Sequence, residues 1–271
     1  MKISISNLAW GDTPLIDVIP KIRATGIEGI EIAPTAIWPD LSTISLKEVT
    51  KVRRFLNDEG ILVSGIQSLF FGHPEYQLFD SSSWSSMLEH LERMITIGNA
   101  LGANVAVFGS PRNRIKGDLS DSQANHQAQK FFIEVDKILV DYEMVLTLEP
   151  NAPAYGADFL INYKEVVRLS KVVDSIRIAP QIDTGCLWMV GVDPTESFLE
   201  YLPHHVHLST PNLGVVPGTY DFKNFLNALH YSSYQGWVVI EMIEESIEKY
   251  PSIIESINWL KSEVNLESKN G

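Results

Sequence analysis

Residues 144–149 read MVLTLE, an apolar run that ends on a carboxylate. The pattern returns three times: IRIAPQID at 176–183 ends on Asp183, HHVHLS at 204–209 carries His207, and GWVVIEMI at 236–243 carries Glu241. Short apolar runs rich in β-branched residues read as buried strands. Glu149, Asp183, His207 and Glu241 follow one another at intervals of 34, 24 and 34 residues. Each interval has room for a loop, a helix and a return strand. Repeated strand–helix units bring successive strand ends to one rim of a parallel sheet. Side chains alternate along a strand, so Val145, Thr147 and Glu149 share a face. By the same rule Gln181 pairs with Asp183, His205 with His207, and Val239 with Glu241.

The first half of the chain alternates in the same way. Ile3 to Ser6, IEGIEI (27–32), ILVSGIQ (61–67) and NVAVF (104–108) are strand candidates. Between them, apolar residues recur at helical spacing: Leu15, Val18, Ile19 and Ile22; Leu46, Val49, Phe55 and Leu56; Leu88, Leu91, Met94 and Ile95. Gly26, Gly60 and Gly102 follow these stripes as stop signals. Further stripes run through Phe131 to Leu139, Val166 to Leu169, Glu196 to Tyr201, Phe222 to Leu229 and Ile253 to Leu260. The count is eight strands and eight helices. The expected fold is therefore α/β, a single (β/α)₈ TIM barrel domain over residues 1–271. An open doubly wound sheet usually has a glycine-rich phosphate turn after its first strand; NLAWGD (7–12) does not match one.

Bulk properties narrow the function. The net charge of −13 is the wrong sign for a broad nucleic-acid surface. The lone Cys186 excludes an internal disulfide framework. No apolar run approaches the roughly 20 residues that span a bilayer, and the N-terminus lacks a secretory pattern. The cytoplasm is the default expectation, without membrane or nucleic-acid partners.

One Glu or Asp after a strand usually caps a helix. Four potential ligands on successive strands point instead to a divalent-cation site. Three carboxylates and one imidazole suit Mn²⁺, Mg²⁺ or Co²⁺, and Zn²⁺ also fits. Cys186, three residues after Asp183, reads most simply as a small buried residue, with a soft metal ligand or a substrate contact as the alternative.

With these residues in place, the chain resembles the xylose-isomerase-like barrel superfamily of sugar isomerases and epimerases. The superfamily includes ketose 3-epimerases, inosose dehydratases and endonuclease IV. The resemblance runs from the first strand to Glu241. It implies that Glu149, Asp183, His207 and Glu241 hold one metal ion. It also implies that Glu149 and Glu241 act as acid and base in proton transfer through an enediolate stabilised by the metal. A small sugar or sugar derivative, phosphorylated or not, is the implied substrate, and a homo-oligomer the implied assembly. Three positions depart from the ketose-epimerase pattern: Cys186 replaces a His, Leu213 in HLSTPNLG replaces an Arg, and Tyr155 replaces a second Glu. A free ketohexose is accordingly a poor fit, and dehydration of a keto-polyol is the rival reading. An endonuclease IV activity would need additional His ligands, absent from Phe108-Gly109-Ser110. A non-catalytic sugar-binding barrel would have little use for both acid/base glutamates.

Other rim positions are candidate substrate contacts: Trp10, Glu31, Gln67, His73 and Trp188, with Arg112 and Arg114 in FGSPRNR (108–114) as guanidinium forks for phosphate or carboxylate. Trp38 is a further candidate for ring stacking. His204 and His205 read as structural, with His205 one layer below His207.

Overall fold

The computed structural model of the chain describes residues 1–244 and 249–268. Its eight strands are β1 (Lys2–Ser6), β2 (Gly29–Ile32), β3 (Leu62–Ile66), β4 (Val105–Phe108), β5 (Val145–Leu148), β6 (Ile178–Asp183), β7 (His205–Ser209) and β8 (Trp237–Glu241). They close in sequence order into a parallel barrel, with β8 paired back onto β1. The helices are α1 (Leu15–Arg23), α2 (Pro34–Ile37), α3 (Leu46–Asp58), α4 (Trp84–Leu101), α5 (Asp121–Leu139), α6 (Tyr163–Val173), α7 (Thr184–Met189), α8 (Pro194–Glu200), α9 (Lys223–Tyr231) and α10 (Lys249–Ser268). Ten helices are thus described where the periodicity predicts eight. The additional two, α2 and α7, are too short to show a hydrophobic repeat. No described helix is long and apolar enough to cross a membrane.

The local signals act as their chemistry requires. Ser45 caps α3 in a reciprocal pair with Glu48, and Ser120 caps α5 with Gln123. Gly102 closes α4 at φ 89°, a left-handed conformation that suits a residue without Cβ. The outer faces of the strands, such as Ile5, Ile30, Phe108 and Ile182, are fully buried beneath the helices. Phe108 meets Phe132 of α5 edge to face at 5.1 Å.

The barrel interior carries a paired polar layer among inward valines such as Val107 and Val239. Ser4 and Ser64 share a hydrogen bond of 2.7 Å across the lumen. Gln67 donates to Ser6 at 2.6 Å, and Thr147 donates to Gln181 at 2.6 Å. Buried polar groups are costly unless paired, so this layer holds a specific register. One irregularity matters. The β2–β3 pairing shifts between Ile30 and Glu31, so that Glu31 lies opposite Gly65. A Cβ on Gly65 would stand 2.7 Å from Oε1 of Glu31. The missing side chain makes room for a buried carboxylate.

Helix α7 begins directly after Asp183 and packs tightly on β7. The Gly185 amide donates to Ser209 Oγ at 2.9 Å. A Cβ there would meet that oxygen at 2.6 Å and the Thr210 carbonyl oxygen at 2.7 Å. Gly185→Ala is expected to cost about 1–3 kcal/mol of stability, read as a lower urea midpoint. An unchanged midpoint would contradict this packing.

Candidate metal centre

Glu149, Asp183, His207 and Glu241 converge at the C-terminal mouth of the barrel, and all four are buried. Glu149 follows β5, Asp183 and Glu241 end β6 and β8, and His207 sits within β7. One ligand atom from each lies within 4.8 Å of the others. His207 Nδ1 stands 2.7 Å from Glu149 Oε1, 3.2 Å from Glu241 Oε2 and 3.9 Å from Asp183 Oδ2. It is buried and makes no aligned hydrogen bond.

The other face of the imidazole explains its orientation. His207 Nε2 lies 2.7 Å from Oε2 of Glu31, whose Oε1 lies 2.8 Å from His205 Nε2. Glu31 is fully buried. A carboxylate there favours a proton on Nε2, which aims the Nδ1 lone pair at the three carboxylates. Burial would raise the Glu31 pKa, but the His207 and His205 imidazoles outweigh it and hold it at about 2.

Three buried carboxylates repel one another. Burial, with the charges of Glu149 and Glu241, pushes Asp183 up to about 8. Burial, aided by Glu149 and Glu31, also raises Glu241 against the pull of His207. Glu149 is lowered because His207 outweighs its burial. Burial disfavours the charged form of His207, yet Glu241, Glu31 and Glu149 together raise its pKa well above the ordinary value. The cluster therefore demands positive charge. A divalent cation held by three carboxylate oxygens and Nδ1 would meet that demand, so the donor set fits the ion.

Supporting contacts fix Glu149 and Asp183. Gln181 donates to Glu149 Oε1 at 2.8 Å, and Asn151 donates to Oε2 at 3.0 Å. Asp183 accepts from the Cys186 amide at 2.6 Å, so it caps α7 as well as facing the cluster. Ser209 Oγ lies 3.0 Å from each Asp183 oxygen. Glu31→Gln keeps the shape but removes the charge that orients both imidazoles. Divalent-metal affinity is expected to fall about 10–100-fold by calorimetry, with the fold intact by circular dichroism. Unchanged affinity would deny Glu31 this orienting role.

A cleft of about 300 Å³ opens above the cluster. Glu149, Asp183 and Glu241 form its acidic side, with Gln67, Asn151 and Cys186 beside them. Tyr155 and Leu213 also line it, and the Tyr155 hydroxyl accepts from the Asn212 amide at 2.9 Å. Among the described residues, no Lys or Arg lines the cleft.

The other nominated residues lie elsewhere. Trp10 is fully buried in the hydrophobic core. Glu31 sits beneath the metal cluster rather than on the rim. His73 and Arg112 line a neighbouring groove. Trp188 is half-buried and stacked on Tyr220 at 4.7 Å, and Trp38 packs partly buried against the core. Arg114 is fully buried and fastens the loop after β5, donating to the Glu149 carbonyl and to Asn151 Oδ1, each at 2.8 Å. Burial brings its guanidinium down to about 10, against the charge of Glu149. Asn151 and Ser209 were not singled out from sequence. Each lies two positions beyond a ligand; strand alternation places Ser209 on the face of His207, whereas Asn151 lies in the loop after β5.

The sequence has no match among curated proteins. Solved structures share the barrel at low identity. A 3-keto-D-glucoside 4-epimerase from E. coli is 17% identical with a TM-score of 0.78, over 97% of this chain and 99% of that one. A D-psicose 3-epimerase from Clostridium cellulolyticum H10 is 16% identical with a TM-score of 0.73, over 98% and 99%. A probable 3-DHS dehydratase from Bacillus anthracis is 15% identical with a TM-score of 0.74, over 96% and 99%. These likenesses establish the fold. Residues 19–263 match the profile of the xylose isomerase-like TIM barrel, and the chain belongs to that family.

Proposed function

We propose that the chain is a divalent-metal-dependent isomerase or epimerase of an uncharged sugar or sugar derivative. The observation that carries the reading is the convergence of Glu149, Asp183 and Glu241 on the buried Nδ1 of His207 beneath a small cleft. A bound cation would polarise a substrate carbonyl and offset the negative charge left when the neighbouring carbon loses its proton. One of Glu149 and Glu241 takes that proton, and the other returns one. Return to the opposite face of the same carbon gives an epimer; return to the former carbonyl carbon gives an isomer. Gln181 and Asn151 hold the Glu149 carboxylate in place during the transfer.

The cleft wall favours an uncharged substrate. A phosphate there would face three carboxylates, and Arg114 is committed to the loop after β5. Cys186, Leu213 and Tyr155 offer fewer donors to free hydroxyls than the His, Arg and Glu that the ketose-epimerase resemblance implies at those positions. Sugar-acting proteins with the same barrel, such as the two epimerases above, lend support to this substrate class.

The test is a product survey. Protein loaded with Mn²⁺ is incubated with free ketoses, ketose glycosides, sugar phosphates and keto-polyols, and products are read by NMR. The expected result is an epimer or aldose from an uncharged sugar, abolished by chelator. A product that has lost water would assign the site to dehydration instead. No product from any compound, with the metal fully bound, would refute enolising chemistry.

A further inference from the structure

A groove of about 580 Å³ adjoins the catalytic cleft. Ser68, Ser110 and Pro111 line both spaces. The two serines hold left-handed φ angles of 57° and 46°, a conformation that non-glycine residues seldom adopt and that tends to collect at ligand sites. The groove wall is built before any ligand arrives. Buried Asn113 donates to the carbonyls of His73 at 2.8 Å and Tyr76 at 2.7 Å, tying the loop after β4 to the loop after β3. His73 is paired with Glu75 at 2.8 Å. Phe71 is 71% exposed on this wall, with Arg112 also exposed nearby.

An exposed aromatic ring beside polar donors is a surface for a sugar or aryl ring, which has apolar faces and a polar edge. The cleft alone is small. Its volume and its wall shared with the groove suit a ligand longer than one ring. We infer that cleft and groove form one two-part site, and that the substrate is a glycoside: a keto sugar in the cleft, linked to a second ring over Phe71. Arg112 donates hydrogen bonds to the edge of that second ring, and His73, whose Nδ1 proton goes to Glu75, offers Nε2 as an acceptor. The inference rests on the proposed function for the occupant of the cleft.

The test compares binding of D-fructose with that of isomaltulose and lactulose, ketoses that carry a second hexose. Calorimetry is run on the Mn²⁺-loaded protein. The two-ring ketoses are expected to bind at least about tenfold more tightly, and Phe71→Ala or Arg112→Ala to lower that ratio towards one. Equal or weaker binding of the two-ring ketoses, no binding of any probe, or a ratio untouched by Phe71→Ala would overturn the two-part site. So would a dimer that buries Phe71 and falls apart in Phe71→Ala. Exchange of carbon-bound hydrogen with heavy water is followed in parallel. Preference without exchange would sink the proposed chemistry and leave the subsite standing; exchange without preference would do the reverse.

Discussion

Glu149→Gln is expected to lower turnover by roughly 10²–10⁴-fold at saturating metal, the span of a lost general acid or base. The substitution preserves the side-chain volume, and its remaining oxygen still accepts from Gln181 or Asn151, which now hold the carboxylate at 2.8 and 3.0 Å. What disappears is a negative charge and a proton acceptor 2.7 Å from His207 Nδ1. Metal affinity is expected to weaken too, so the assay must be repeated with rising cation until the rate levels off. A plateau far below the wild-type rate identifies a role in proton transfer beyond holding the ion. Full recovery at high cation would reduce Glu149 to a ligand. Glu241→Gln is expected to behave alike, since Glu241 Oε2 stands 3.2 Å from the same nitrogen.

The second large effect is on stability. Burying three carboxylates around one imidazole is unfavourable without a compensating cation. At about 100 times its dissociation constant, a divalent ion that binds only the folded chain stabilises it by about 2.7 kcal/mol. For a chain of this size the melting temperature should rise by about 5 °C, and chelator should reverse the rise. Asp183→Asn gives the complementary result. Burial and the neighbouring carboxylates push Asp183 up to about 8, so near neutral pH folding must bind a proton there. An amide needs none, and its oxygen can still accept from the Cys186 amide as Asp183 does at 2.6 Å, so the melting temperature of the metal-free protein should rise. The same change removes a ligand, so added cation should no longer shift the melting curve. A variant that melts lower without metal, or that still responds to it, would contradict the electrostatic account.

The parts of this molecule that were legible from sequence share a physical cause. An apolar run that must be buried on its outer face and ends on a charge has few places to go in a chain of alternating strands and helices. That constraint exposed β5 to β8 and brought Glu149, Asp183, His207 and Glu241 to one rim. Glu31 resisted the same logic. It ends an apolar run like the others, yet the register shift opposite Gly65 turns its carboxylate beneath the cluster, towards two histidines. Sequence spacing does not reveal a register shift. Arg114 misled for a different reason: its partners are a backbone carbonyl and Asn151, and backbone acceptors leave no trace in a sequence. Trp10 follows β1 and a single helical turn, yet its ring is fully buried in the hydrophobic core. Helices α2 and α7 are shorter than the window over which periodicity can be recognised. Of the two, α7 is the one that positions Cys186 and engages Asp183 as its cap.

The buried cluster is expected to move a proton on and off carbon. The direct measurement is incorporation of deuterium from heavy water at the carbon beside the carbonyl, followed by NMR in substrate and product. A preferred sugar is compared with Mn²⁺-loaded wild type, wild type with chelator, and Glu149→Gln. Incorporation is expected from the loaded wild type alone. Product formed without solvent deuterium in any position, or incorporation that persists in chelator and in Glu149→Gln, would contradict it.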